Sequence, residues 1–126
     1  MDISSHDDSL DICPCFERCG GCSYQGVTYA EQLRAKEAQV RECLEQEGID
    51  PGILTGIKPA PAVFRYRNKM EYTFGNEVKD GPTILGLHAR RSYISIVPAD
   101  QCQLVPKDFL KILNSTMEFV REHGYT

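Results

Sequence analysis

Cys13-Pro14-Cys15-Phe16-Glu17-Arg18-Cys19-Gly20-Gly21-Cys22-Ser23-Tyr24-Gln25 places four cysteines within ten residues. Thiolates this close in sequence can serve one centre only where the backbone curls tightly around it, and Gly20-Gly21 supplies the freedom for that curl. Two spacings are nested in the stretch: Cys13, Cys19 and Cys22 form C-x5-C-x2-C, and Cys15, Cys19 and Cys22 form C-x3-C-x2-C. Three thiolates leave an iron-sulfur cube one ligand short. The first spacing therefore requires a fourth cysteine from elsewhere, whereas the second leaves one iron open for a substrate. A zinc ion competes with both, because Cys19-Gly-Gly-Cys22 is a C-x2-C knuckle and two further thiolates complete a tetrahedron.

The remaining cysteines are Cys43 and Cys102. Cys43 falls inside an expected helix, where a cysteine reads as a small buried hydrophobe, and is left out of the metal set. Cys102 stands in a loop directly after an expected strand and reads either as a distant fourth ligand or as a buried loop thiol. Structural zinc usually pairs two knuckles, and there is one here, so the spacing favours iron and sulfide. The C-x3-C-x2-C spacing also matches the cluster motif of radical S-adenosylmethionine enzymes. That family needs a barrel of strand-helix units after the motif, which nothing here supplies, and usually has an aromatic residue where Gly21 stands.

A chain of 126 residues with 41% hydrophobic content supports one ordinary core, with at most a small appendage. It is too short for most complete cofactor-dependent enzymes. Residues 1–11 are acidic and polar and no later apolar run approaches a membrane span, so neither a signal peptide nor a membrane segment is expected. A cytoplasmic, reducing setting is the expectation, and there bunched cysteines favour metal over disulfides. The formal charge of -4 conceals an asymmetry: residues 1–50 carry eleven acidic and four basic side chains, residues 51–126 seven and ten. A polyanion would prefer the second half.

The expected elements make an α+β chain: a cysteine-rich loop and helix, then a small antiparallel β-meander and a C-terminal helix. Thr28-x-x-Glu31 is a capping-box signal for a helix over residues 29–47, stopped by Gly48. Its apolar stripe of Ala30, Leu33, Val40 and Leu44 is interrupted by Glu37. Residues 49–61, with three prolines and two glycines, suit an extended linker. Alternation predicts a strand over residues 64–74, with Phe64, Tyr66, Met70, Tyr72 and Phe74 on one face and Arg65, Arg67, Lys69, Glu71 and Thr73 on the other. Strands over 83–88 and 93–97 follow, joined by the basic turn Ala89-Arg90-Arg91-Ser92. Pro106 opens a helix over 107–123 whose Phe109, Leu110, Leu113, Met117 and Val120 form a core stripe.

Taken together, Cys13-x5-Cys19-Gly-Gly-Cys22 followed by Gln25, then Phe64-Arg-Tyr-Arg-Asn-Lys-Met-Glu-Tyr-Thr-Phe74, Leu85-Gly-Leu-His88, and Ile96 through Cys102-x-Leu104 resemble the bacterial RNA uracil-5-methyltransferases that make 5-methyluridine in 23S ribosomal RNA. The resemblance covers about residues 13–123. It implies a [4Fe-4S] cluster on Cys13, Cys19, Cys22 and Cys102, with Cys15 a bystander. In that family a C-terminal Rossmann-like domain binds S-adenosylmethionine and carries both the cysteine that attacks C6 of a flipped-out uridine and the base that removes the C5 proton. The chain stops before such a domain, so no catalytic residue and no S-adenosylmethionine contact is assigned to it, and the chain alone is expected to be inactive. An N-terminal RNA-binding barrel, which many members have, is not expected within these residues. The expected division is a cysteine-rich cluster segment with its helix over residues 1–50 and a partial central, RNA-contacting β domain over residues 51–126. Arg65, Arg67, Lys69, Arg90 and Arg91 are the candidate phosphate contacts. A free-standing, metal-stabilised (iron-sulfur or zinc) RNA-binding module without enzymatic activity is the alternative.

Overall fold

The computed structural model describes residues 12–126; the segment 1–11, expected to lack a signal peptide, lies outside the described residues. Two compact units divide the chain, one formed by Gly26–Val63 and the other by residues 12–25 together with Phe64–Thr126. The cysteine stretch thus folds with the later sheet, not with the helix that follows it in sequence.

The first unit is helix α1 (Tyr29–Gln46) and a short 3-10 turn, Pro51–Ile53. The capping box forms: the Glu31 N–H donates to Thr28 Oγ1 at 3.3 Å and the Thr28 N–H donates to Glu31 Oε2 at 3.2 Å. Gly48, at φ +70°, ends the helix with the left-handed turn that glycine adopts without strain. Glu37, the interruption in the apolar stripe, holds Arg41 at 2.9 Å, and Arg41 donates in turn to the carbonyls of Pro51 and Leu54. Only Tyr29 and Leu33 of this helix are buried. Cys43 is exposed, correcting its expected burial: the stripe is too narrow to cover it.

The second unit holds strands β1 (Thr73–Gly75), β2 (Ile84–His88) and β3 (Ile96–Pro98) and helix α2 (Lys107–Glu122). The sheet is the expected antiparallel meander in the order β1-β2-β3, with Thr73 opposite Gly86 and Gly86 opposite Pro98. Leu113 and Met117 of α2 pack with Leu85 and Ala99, and Tyr72 and Leu87 lean against that cluster. The architecture is α+β. No helix among the described residues is long and apolar enough to cross a membrane.

Two expected strands are shorter than their patterns. The run over 64–74 is a strand only at its end, because Arg65 takes φ +57°, a left-handed conformation incompatible with a continuous strand. Arg65 N–H then donates to the Gln103 carbonyl at 2.8 Å and Arg67 N–H to that of Leu104 at 2.9 Å. This backbone pairs with the loop after β3 and not with a sheet neighbour. The two-faced pattern dissolves with it, leaving Tyr66 55% and Phe74 50% exposed. The third strand begins at Ile96, not at residue 93, because Ser92 Oγ accepts from the N–H groups of Ile94 and Ser95 at 3.3 and 3.1 Å and lengthens the turn.

Candidate metal centre

The cysteine loop is a succession of tight turns fastened to the sheet. Cys19 N–H donates to the Cys15 carbonyl at 2.7 Å, and Gly20 N–H to the His88 carbonyl at 2.9 Å; Cys19 pairs with Ala89 as an isolated bridge. A Cβ at Gly20 would lie 3.0 Å from the His88 oxygen, and one at Gly21 would lie 3.1 Å from Leu87 Cδ1 and 3.4 Å from Cys19 Sγ. The paired glycines therefore permit a close approach to strand β2 as well as a tight curl.

This fastening brings thiols from both chain segments of the second unit to one apolar cavity. Cys13, Cys15, Cys19, Cys22 and Cys102 all line it, with Leu87, Ala99 and Leu104 as part of its apolar wall. Gln25 ties the two contributing segments, and Arg65 and Arg90 each fasten one of them. Gln25 Oε1 accepts from Cys13 N–H at 3.3 Å while its Nε2 donates to Gln103 Oε1 at 3.2 Å, beside Cys102. Arg65 Nη1 donates to the carbonyls of Cys102 and Val105 at 2.6 and 2.9 Å. Arg90 Nε donates to the Phe16 carbonyl at 3.1 Å, its Nη2 to the Cys22 carbonyl, and its guanidinium sits 4.7 Å over the Phe16 ring.

Arg65 and Arg90, expected to meet phosphates, are thus directed at the two cysteine-bearing loops. A planar guanidinium with five donors suits this role, since it satisfies several loop carbonyls at once. Lys69 is exposed and pairs with Glu71 at 2.7 Å. The side chains of Arg67 and Arg91 make no hydrogen bond or ion pair among the described residues. Arg91 takes φ +56° at the β2–β3 turn, next to Tyr93 and Ile94, which are 94% and 85% exposed. Cys15, expected to be a bystander, also lines the cavity, and Arg18 Nη2 stands 3.7 Å from its sulfur.

The five thiols of this lining are the donor type that iron and sulfide take. Among the described residues no three His, Cys, Asp or Glu side chains draw together as a site for a metal ion; the thiols stand around the cavity wall. The cavity is narrow, about 20 Å³, room for little more than one water. Occupancy by a cluster therefore requires the cysteine side chains to rotate outward on their loops. Burial, then the neighbouring Cys102, Cys19 and Cys13, pushes the Cys22 thiol up against the lowering effect of a Gln25 hydrogen bond. Burial and Cys13 do the same for Cys15, opposed by Arg18. Such mutual repulsion is relieved when a cation binds the thiolates.

A raised thiol pKa means less thiolate near pH 8 and slower alkylation. Iodoacetamide at pH 8 is expected to modify exposed Cys43 of the metal-free protein first and Cys22 and Cys15 several-fold later, read by peptide mass spectrometry. Equal rates would mean that the cavity is not formed without metal.

No family model matches the chain. It is 44% identical over 110 residues, 87% of its length, to an uncharacterized RNA methyltransferase of Caldanaerobacter subterraneus subsp. tengcongensis. The sequence kinship is with RNA methyltransferases. An uncharacterized RNA methyltransferase of Clostridium tetani is 39% identical over 110 residues, and one of Halalkalibacterium halodurans is 33% identical over 128 residues, 97% of the chain. The chain spans about a quarter of the length of these relatives, 24% of the first two and 26% of the third.

Proposed function

We propose that the chain is the iron-sulfur-binding, RNA-contacting part of an S-adenosylmethionine-dependent RNA (uracil-5-)methyltransferase that makes 5-methyluridine in ribosomal RNA, 23S in the first instance, in the cytoplasm. The observation that carries the reading is that Cys102 lines the same cavity as Cys13, Cys19 and Cys22, in a chain similar to RNA methyltransferases. These four cysteines hold a [4Fe-4S] cluster. With every iron ligated by protein, the cluster is a structural cross-link, joining the N-terminal loop to the loop after β3 across about 80 residues of chain. The domain boundaries expected from sequence, a cluster segment before residue 51 and an RNA-contacting region after it, are part of the proposal. The fold adds that the cluster loop is docked on the sheet.

Methyl transfer, with S-adenosylmethionine supplying the methyl group, is assigned to a domain of the enzyme outside these 126 residues. The function of this chain is to present RNA. Of the five expected phosphate contacts, Arg67 and Arg91 have no side-chain partner among the described residues and Lys69 is exposed in its pair with Glu71; Tyr66 and Tyr93 offer exposed rings for unpaired bases. Arg65 and Arg90 contribute indirectly, by holding the cysteine loops. A free-standing RNA-binding module is disfavoured by relatives about four times as long.

The reading is tested by deleting the gene and measuring 5-methyluridine in 23S ribosomal RNA by nucleoside mass spectrometry, alongside iron and sulfide analysis of the anaerobically purified protein. Unchanged 5-methyluridine in the deletion strain overturns the assigned reaction; a protein holding one zinc overturns the cluster. For the RNA surface, Lys69→Gln and Arg91→Gln are each expected to weaken binding to ribosomal RNA and to reduce the slope of log K against log salt by about one. Slopes equal to the wild type would remove those residues from the interface.

A further inference from the structure

The Tyr72 hydroxyl is buried and has no hydrogen-bond partner among the described residues. Its ring is held immediately before β1 and leans on the cluster of Leu85, Ala99, Leu113 and Met117, with Leu87 beside it. These neighbours offer no oxygen or nitrogen acceptor from their side chains. Two of them, Leu87 and Ala99, also form the wall of the cysteine cavity. Ala99 also accepts from the Cys102 N–H at 3.2 Å through its carbonyl, so the loop that carries Cys102 turns back onto the cluster on which the Tyr72 ring leans. A protonated thiol is a weak acceptor, whereas a thiolate carries the charge that makes a hydrogen bond strong.

We propose that Tyr72 is a positioning residue for the metal centre, its O–H donating to the Cys102 thiolate when that sulfur is bound to iron. The inference rests on the cluster proposed above. It explains why a tyrosine and not a phenylalanine occupies a place where the protein alone leaves the oxygen unsatisfied. Outer hydrogen bonds of this kind fix the orientation of a metal ligand and tune the metal. On an iron-sulfur cluster they also set the reduction potential, because a donor to sulfur stabilises the more negatively charged, reduced state.

Tyr72→Phe deletes one oxygen and retains the ring. In the full-length, anaerobically purified protein this variant is expected to keep its iron and sulfide but to have a lower midpoint potential. A tenfold less favourable reduction corresponds to about 59 mV for a one-electron couple. Iron release to a chelator should be several-fold faster. A purely packing role for the tyrosine would leave the potential unmoved. A variant with wild-type potential and wild-type iron release overturns the inference while the cluster reading stands. A wild-type protein that carries no iron-sulfur cluster overturns both.

Discussion

Replacing Cys102 by serine is expected to abolish the proposed cluster. The purified variant should lose the broad visible absorption of iron-sulfur protein and fall from about four irons per chain to near none. Serine offers a hard oxygen where a soft thiolate is required, and Cys102 is the only cysteine after residue 43, so its own segment holds no replacement. The structural effect should be as large as the chemical one. A cross-link closing a loop of about 80 residues is worth about 4 kcal/mol in the chain-entropy account. The thermal midpoint of the variant should therefore fall to that of chelator-treated wild type. A variant that stays brown with a full complement of iron would transfer the fourth ligand to Cys15, which already lines the cavity.

Gly86→Ala is expected to be the most destabilising change outside the cysteines. Gly86 lies in the central strand, opposite both Thr73 and Pro98. A Cβ there would stand 1.9 Å from the Val97 oxygen and 2.8 Å from its carbonyl carbon. Both are backbone atoms, so no side-chain rotation relieves the overlap, and β2 and β3 must part. We expect a loss of about 3 kcal/mol or more in urea unfolding, with hydrogen-exchange protection lost across both strands. Because β3 leads directly into the loop carrying Cys102, iron retention should fall as well. A change below about 1 kcal/mol would show that the strands are not paired in this register.

The legible part of the fold was its local chemistry. Thr28 and Glu31 announced the start of α1, Gly48 its end, and the spacing of Leu113, Met117 and Val120 the buried face of α2. Each of these signals is completed within about one or two helical turns, and no distant segment competes with it. The run from Phe64 misled for the opposite reason. Its alternation fits a strand, but Gln103 and Leu104 supply carbonyls for Arg65 and Arg67, and that pairing requires a left-handed residue no local pattern encodes. The same long-range pairing brings the Arg65 guanidinium to the carbonyls of Cys102 and Val105, a contact that no local pattern announces. The cysteine spacing pointed to the proposed metal set, but the place of Cys15 in the cavity wall depends on how the loop turns.

The two sides of the cavity differ in how they tolerate error. The N-terminal loop brings four thiols where the proposed cluster asks for three, with Cys13 and Cys15 separated by one residue on the same wall. A lesion at Cys13 thus has a neighbouring sulfur at hand, while one at Cys102 has none. In a population of variants, silence at an N-terminal cysteine would reflect redundancy among ligands and not irrelevance to the metal. The single thiol after β3 is the position at which the centre is genetically exposed.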